Sequence, residues 1–219
     1  PYVEQTMYLN PDNGYKLTKF IEHSHNCDPN NWQEVTRSMQ LLKKMHGSHI
    51  KVTHAFDLKK QIDMYERLRN TASAYRDYDE VKSRIERLLV YVDQLDKDWT
   101  LCHIDANADN FVFDQNDRVF LIDWEYAGMQ DPDVDIAMFA IYSMYDQSHL
   151  DRLIETYYDG NVSQQTRLKI YAYVAICGLL WSNWCEYKQS LGLDFGEYSL
   201  AQYRYAKEYS NKVLSHLKG

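Results

Sequence analysis

Several features are missing from this sequence, and each absence removes a class of function. Its four cysteines, Cys27, Cys102, Cys177 and Cys185, form no C-x-x-C pair and follow no secretory leader. They read as reduced thiols of a cytoplasmic protein, not as disulfides or a zinc site. The longest strongly apolar run, Tyr171 to Trp181, is too short to span a bilayer, so no membrane insertion is expected. There is no targeting segment, internal repeat or low-complexity tract. Basic residues are outnumbered, 24 Lys and Arg against 32 Asp and Glu, for a net charge of −8. That argues against a nucleic-acid partner, which calls for a basic face. It suits a small cationic substrate, and it equally suits plain solubility.

The 219 residues, 45% of them hydrophobic, suffice for one large domain or two small ones with a real core. Val3 to Asn10 and Tyr15 to Ile21 are rich in Val, Tyr, Thr, Leu and Phe, and they flank the turn signal Pro11-Asp12-Asn13-Gly14. This pattern predicts a β-hairpin, and two strands alone are marginal in water. From Asn31 the period becomes helical. Val35, Met39, Leu42 and Met45 recur at helical spacing across Trp32 to His46, and Gly47 ends the run. Further helices are predicted over Leu58 to Leu68, over Glu80 to Leu95, after Asp131-Pro132 through about Asp146, and over Ser148 to Tyr158, Ser163 to Gln189 and Tyr198 to Leu217. Trp99 to Asn110 is short, polar and irregular, and two brief strands follow it. The expected fold class is α+β: a strand remnant, then a mainly helical domain interrupted by one polar loop and one hairpin.

The interruption carries the chemistry. Phe111 to Asp114 and Val119 to Ile122 flank Gln115-Asn116-Asp117-Arg118, a plausible four-residue turn. If it closes symmetrically, Asp114 faces Val119, Phe113 faces Phe120 and Asn110 faces Asp123. Facing residues of an antiparallel pair lie only about 4.5–5.5 Å apart at Cα. An amide oxygen and a carboxylate then meet at the open end of the hairpin, and both are ligands of the kind Mg²⁺ prefers. Asp105 lies five residues before Asn110, in the loop feeding the same end. Phosphoryl transfer needs metal ions bridging the nucleotide phosphates and a separate carboxylate that positions the attacking hydroxyl and takes its proton. Taken singly, Asp and Asn at turns do no more than bend and cap the chain. Three at this spacing point to a reaction centre.

The stretch His103-x-Asp105-x-x-x-x-Asn110, followed by Ile122-Asp123, resembles the catalytic loop and metal-binding Asp of the protein-kinase-like superfamily. Ile104 stands where protein kinases have Arg, and Trp124-Glu125 replaces their Phe-Gly. Both departures match the small-molecule branch, the aminoglycoside phosphotransferases and choline/ethanolamine kinases. Ile122-Asp-Trp-Glu-Tyr-Ala127 and Asp131-Pro-Asp-Val-Asp135-Ile-Ala137 are particularly similar to bacterial choline kinases. The resemblance covers essentially the whole chain and implies a protein-kinase-like fold with ATP and Mg²⁺ as cofactors. It implies Asp105 as catalytic base and Asn110 and Asp123 as Mg²⁺ ligands. By the same resemblance His103 is the hydrogen-bonding histidine of the catalytic loop and Asp135 a loop anchor. Phe20, Ile21 and Glu22 match the hinge whose backbone meets adenine.

Choline carries a quaternary ammonium that cannot donate a hydrogen bond, so aromatic faces and nearby carboxylates must hold it. Among 19 Tyr and 5 Trp, Trp181 and Trp184 are three apart on one helix and share a face. Tyr126 follows Asp123 by three residues. The resemblance implies these three as choline-site residues, with Glu125, Asn107 and Tyr198 as weaker candidates. Aromatics at this spacing equally describe an ordinary core, and ethanolamine fits a similar site with more hydrogen bonds. The leading expectation is transfer of the γ-phosphate of ATP to the hydroxyl of choline or a related amino alcohol. An aminoglycoside or other small-molecule kinase is the rival enzyme, and a non-catalytic ligand-binding or interaction module is the rival of another class.

The superfamily also uses a Gly-rich loop over the phosphates and a strand-borne Lys. Only Gly14 precedes Gly47, and Lys16 and Lys19 lie past where that Lys belongs. With Pro1 as first residue, the expectation is a truncated small lobe and hinge over residues 1–22 and a complete helical large lobe over 23–219. The isolated chain is then expected to turn over weakly or not at all.

Overall fold

The computed structural model describes residues 3–218; Pro1, Tyr2 and Gly219, at the outer limits of the two expected units, lie outside the described residues. The predicted hairpin forms from β1 (Thr6–Asn10) and β2 (Tyr15–Thr18), with Asn10 opposite Tyr15. Gly14 supplies the left-handed conformation of its turn, at φ 74°. Both strands are shorter than their sequence pattern, and Val3 instead bridges Leu121 in parallel. Their side chains are almost all exposed, so this hairpin has no apolar layer of its own.

Five more strands are short: β3 (His25–Asn26), β4 (Thr100–Cys102), β5 (Phe111–Phe113), β6 (Val119–Leu121) and β7 (Gly128–Gln130). The order β3-β5-β6 makes one antiparallel sheet, and β4 pairs with β7. The sequence pattern predicts β5 and β6 but not β3, β4 or β7. Two or three residues are too few to show alternation, and these strands exist through distant partners.

The helices are α1 (Trp32–His46), α2 (Leu58–Arg69), α3 (Tyr78–Asp93), α4 (Asp133–Tyr142), α5 (Gln147–Tyr157), α6 (Gln164–Ser190) and α7 (Glu197–His216). Asn31, Asp57, Asp146 and Ser163 cap α1, α2, α5 and α6, each side chain accepting from a backbone N–H of the first turn. Helix α4 stops at Tyr142 rather than near Asp146, because Met144 adopts a left-handed conformation (φ 51°) and Asp146 is already the cap of α5.

Helix α6 is the axis of the domain: from Ile170 to Asn183 every residue is buried, as expected of a helix apolar all round. Helix α7 lies against it at Gly178, where an added Cβ would stand 2.7 Å from the Gln202 carbonyl oxygen and 2.9 Å from the Ala206 nitrogen. Only glycine permits that approach.

The β5–β6 hairpin is shifted by one residue from the symmetric expectation. Phe113 pairs with Val119, Val112 with Phe120 and Phe111 with Leu121. The cause is Asp114, whose carboxylate accepts the N–H groups of Asn116 (2.9 Å) and Arg118 (2.8 Å). Its own N–H reaches the Arg118 carbonyl at 3.0 Å, and Asp117 sits at φ 59°. The loop therefore holds three residues with a left-handed last position, a favoured hairpin closure. Asn110 consequently lies across from Ile122, whose N–H donates to its carbonyl at 3.0 Å, and Asp123 follows one residue further on.

Candidate active site

The loop between β4 and β5 is built by buried polar contacts. Asp135, in the first turn of α4 and fully buried, accepts the His103 N–H at 2.8 Å and the Ile104 N–H at 2.7 Å. Between those contacts and Asp105 the chain bends through Ile104 at φ 70°, an uncommon conformation for a β-branched residue. Asn107 caps the single 3₁₀ turn Ala108–Asn110, and the Asn110 amide nitrogen donates to the Asp105 carbonyl (2.8 Å) and carboxylate (3.0 Å). Asp105 and Asn110 are thus one hydrogen-bonded unit.

His103 is buried, and its Nε2 donates to the Ile122 carbonyl at 2.8 Å. Trp124 packs edge-on against its ring, with centroids 4.8 Å apart. His103 therefore ties the Asp105 loop to the segment carrying Asp123. It lines neither the cavity at Asp105 nor the one at Asp123.

Asp105 opens into a cavity of about 500 Å³. All six expected acceptor-site residues line it: Asn107, Glu125, Tyr126, Trp181, Trp184 and Tyr198. The Trp181 ring lies 5.8 Å from Tyr126 and 5.6 Å from Trp184, both edge-to-face. Two further wall residues, Tyr142 and Phe195, escaped the sequence reading. Tyr142 lies 5.5 Å from Trp181 and Phe195 4.8 Å from Trp184, between ring centroids. Tyr142 had one signal, its position two helical turns after Asp135. Phe195 sits in the irregular link before α7 and had none.

The charge of this cavity is one-signed. Asp105, Asp109 and Glu125 line it, and none of its lining residues is basic. Burial pushes the Tyr142 phenol well above its ordinary range, and the Asp105 carboxylate adds to the effect. Burial first, then Cys185 and Asp105, raises Tyr198; burial and then Tyr65 raises Tyr126. These phenols keep their protons, so they contribute aromatic faces and neutral hydroxyls to an acidic pocket.

Asp123 points elsewhere. It is exposed, at φ 62°, and no other described residue takes up its carboxylate. It shares a second cavity, of about 400 Å³, with Phe20, Ile21 and Lys16. Glu22 lines a neighbouring cavity together with Phe20 and Ile21. The structure thus brings two of the three hinge candidates to Asp123, while Glu22 stays apart from it. Asn110 and Asp123 fit a hard cation: both offer oxygen donors, and the Asn110 nitrogen is already committed to Asp105, leaving its oxygen for a ligand.

Comparison with known proteins agrees with this architecture. The phosphotransferase enzyme family (APH) matches residues 19–172. Protein LicA of Haemophilus influenzae is 29% identical over 209 residues, 90% of this chain; the chain spans 61% of one LicA sequence and 77% of another. The crystal structure of choline kinase LicA from Streptococcus pneumoniae superposes with a TM-score of 0.83 at 26% identity, covering 96% of this chain and 75% of that one. A structure of LicA in complex with AMP gives a TM-score of 0.84 at 26% identity, over 97% and 74% of the two chains. The family match covers well over half of the sequence and includes the whole Asp105–Asp123 segment: this chain is a member of the phosphotransferase enzyme family, with the protein-kinase-like fold.

Proposed function

We propose that this chain carries the reaction centre and acceptor site of an ATP- and Mg²⁺-dependent phosphotransferase whose acceptor is the hydroxyl of choline or a related amino alcohol. The observation that carries the proposal is the single cavity in which Asp105 lies among Tyr126, Trp181 and Trp184 with only acidic charge around them. A quaternary ammonium gains about 0.5–2 kcal/mol from each well-placed aromatic face, and more when water is excluded. The resemblance to LicA, a choline kinase in the Streptococcus pneumoniae structure, supports the same acceptor.

In this reading Asp105 receives the proton of the acceptor hydroxyl and aims its oxygen, while Asn110 keeps that carboxylate in place. Asn110 and Asp123 would hold Mg²⁺, which supplies charge neutralisation at the phosphates. Phe20 and Ile21 border the Asp123 cavity as hinge residues, and the AMP complex of LicA supports a nucleotide there. Described residues 3–22 act as hinge and small-lobe strands, and residues 23–218 as the large lobe. In this reading His103 is a hydrogen-bonding anchor and not a base, since it is buried and its Nε2 donates to the Ile122 carbonyl.

The test is phosphorylation of a panel of choline, ethanolamine and an aminoglycoside by Mg²⁺-ATP, run beside Asp105→Asn. The expected product is phosphocholine, formed slowly by the isolated chain and lost in the variant. Phosphorylation of the aminoglycoside in preference to choline would contradict the proposal.

A further inference from the structure

His46, the last residue of α1, lies outside both cavities and outside the catalytic loop. It is 5% exposed, and the carboxylate it meets, Asp135, is 0% exposed. Its Nε2 lies 2.9 Å from Asp135 Oδ2 and its Nδ1 2.7 Å from the Tyr157 hydroxyl. Its backbone carbonyl accepts from Thr100 Oγ1 at 2.9 Å, at the start of the strand that leads into the Asp105 loop. Asp135 is an acceptor, so Nε2 carries the proton. Tyr157, whose phenol burial raises above its ordinary range, keeps its proton and donates to Nδ1.

Asp135 therefore accepts three N–H groups: His103 and His46 on Oδ2, Ile104 on Oδ1. Two of them hold the turn that presents Asp105; the third fixes the carboxylate itself. A carboxylate on a single Cβ–Cγ bond can rotate, and rotation would release an N–H of a backbone already held at an uncommon φ. His46, Asp135 and Cys102 lie close together but do not form a cation site. Both Asp135 oxygens and both His46 nitrogens are occupied, and the neighbouring Cys102 thiol, which burial keeps protonated, donates to the Gln130 carbonyl at 3.3 Å.

We infer that His46 is a positioning residue for phosphoryl transfer: it locks the rotamer of Asp135, and Asp135 in turn holds the His103–Ile104 turn that aims Asp105 into the acceptor cavity. The consequence for rate rests on the phosphotransferase reading above; the mechanical link does not. Misplacing a reacting group by about 1 Å costs on the order of a hundredfold in rate.

The experiment compares His46→Gln with His46→Asn in the full chain. Gln can place its amide nitrogen near the Nε2 position and keep the Asp135 contact. Asn, one carbon shorter, reaches only the Nδ1 position and loses it. Amide hydrogen exchange is followed at His103 and Ile104, with the α6 amides as an internal reference for global stability. The expected result is exchange at those two amides about tenfold or more faster in His46→Asn, near wild-type in His46→Gln, and α6 unchanged in both. Equal protection in both variants, or loss spread evenly over α6, would overturn the inference. In the turnover arm, His46→Asn lowers kcat by about ten- to a hundredfold at unchanged choline KM, and His46→Gln recovers most of it. Loss of choline KM alone would likewise count against it. If the phosphotransferase reading itself fails, the slow wild-type turnover favours an aminoglycoside over choline or survives Asp105→Asn, while the exchange result stands on its own.

Discussion

The two sides of Asp105 are built differently. On the acceptor side four of the aromatic walls come from helices: Tyr142 from α4, Trp181 and Trp184 from α6, Tyr198 from α7. Trp181 is only 4% exposed, and its indole N–H donates to Met138 Sδ at 3.0 Å. On the nucleotide side Asp123 and Phe20 sit on irregular or hairpin backbone, and Phe20 is 79% exposed. The acceptor pocket is therefore a property of the core, shaped before any ligand arrives. The nucleotide side is a surface with few contacts of its own. Binding energy from a preformed site is not spent on ordering it, so this chain is expected to recognise its acceptor without the nucleotide.

Variants can separate the sides, beginning with the largest effect. Asp105→Asn removes the base without removing the cavity. Turnover should fall by about 10²–10⁴-fold, with choline binding retained within a few-fold. Comparable loss of both would mean that the carboxylate serves binding, not proton transfer.

Trp181→Ala strikes the acceptor side alone. It should weaken choline binding by about tenfold or more, while nucleotide binding by fluorescent-analogue titration stays unchanged. Because Trp181 is buried, the same variant should lose on the order of 3–5 kcal/mol of stability in denaturant unfolding. An unaltered choline affinity in the folded variant would show that Trp181 does not hold the acceptor.

Gly178→Ala should cost about 1–3 kcal/mol, since its Cβ meets backbone of α7 rather than a yielding side chain. Trp181 lies one turn further along α6, and Tyr198 is on α7. Parting these helices should raise choline KM and leave ATP KM alone.

The smallest effect lies behind the site, at Asp133 in the first turn of α4. Burial and then the neighbouring Asp131 push its carboxyl up to about 6, against the pull of Lys169 and Tyr158. The folded state thus holds this proton more tightly than the unfolded chain. The contribution of Asp133 is largest below the ordinary carboxylate range and decreases as pH rises towards 6. Between pH 4 and 6 the Tm of the wild type should therefore fall relative to Asp133→Asn, by a few degrees. A constant difference would show that the carboxyl does not titrate in that window.

The sequence displayed the helices well and the short strands poorly. Trp32–His46 is bounded by Asn31 and Gly47, and the structure confirms both ends. The strand His25–Asn26 carries no pattern of its own and is visible only through Phe113 and Val112 across the sheet. The loop motif placed Asp105, Asn110 and Asp123 at one end of the β5–β6 hairpin, yet the register differed by one residue. That difference came from the side chain of Asp114, whose hydrogen bonds to Asn116 and Arg118 select a three-residue loop. Spacing also brought Trp181 and Trp184 to one face. It could not reveal Phe195, whose position depends on the course of the chain between two helices. His46 was legible only as the end of a helix, because its partners, Asp135 and Tyr157, lie 89 and 111 residues away.

The central claim is that the cavity at Asp105 selects a small alcohol by its positive charge, using aromatic faces formed in the absence of nucleotide. Tryptophan fluorescence titration of the chain with choline and with its uncharged isostere 3,3-dimethyl-1-butanol tests it directly, as the two differ in charge and hardly in shape. Choline should quench saturably, with the response lost in Trp181→Ala, and the neutral alcohol should bind at least about tenfold more weakly. Equal binding of the two, or no response to choline, would contradict it.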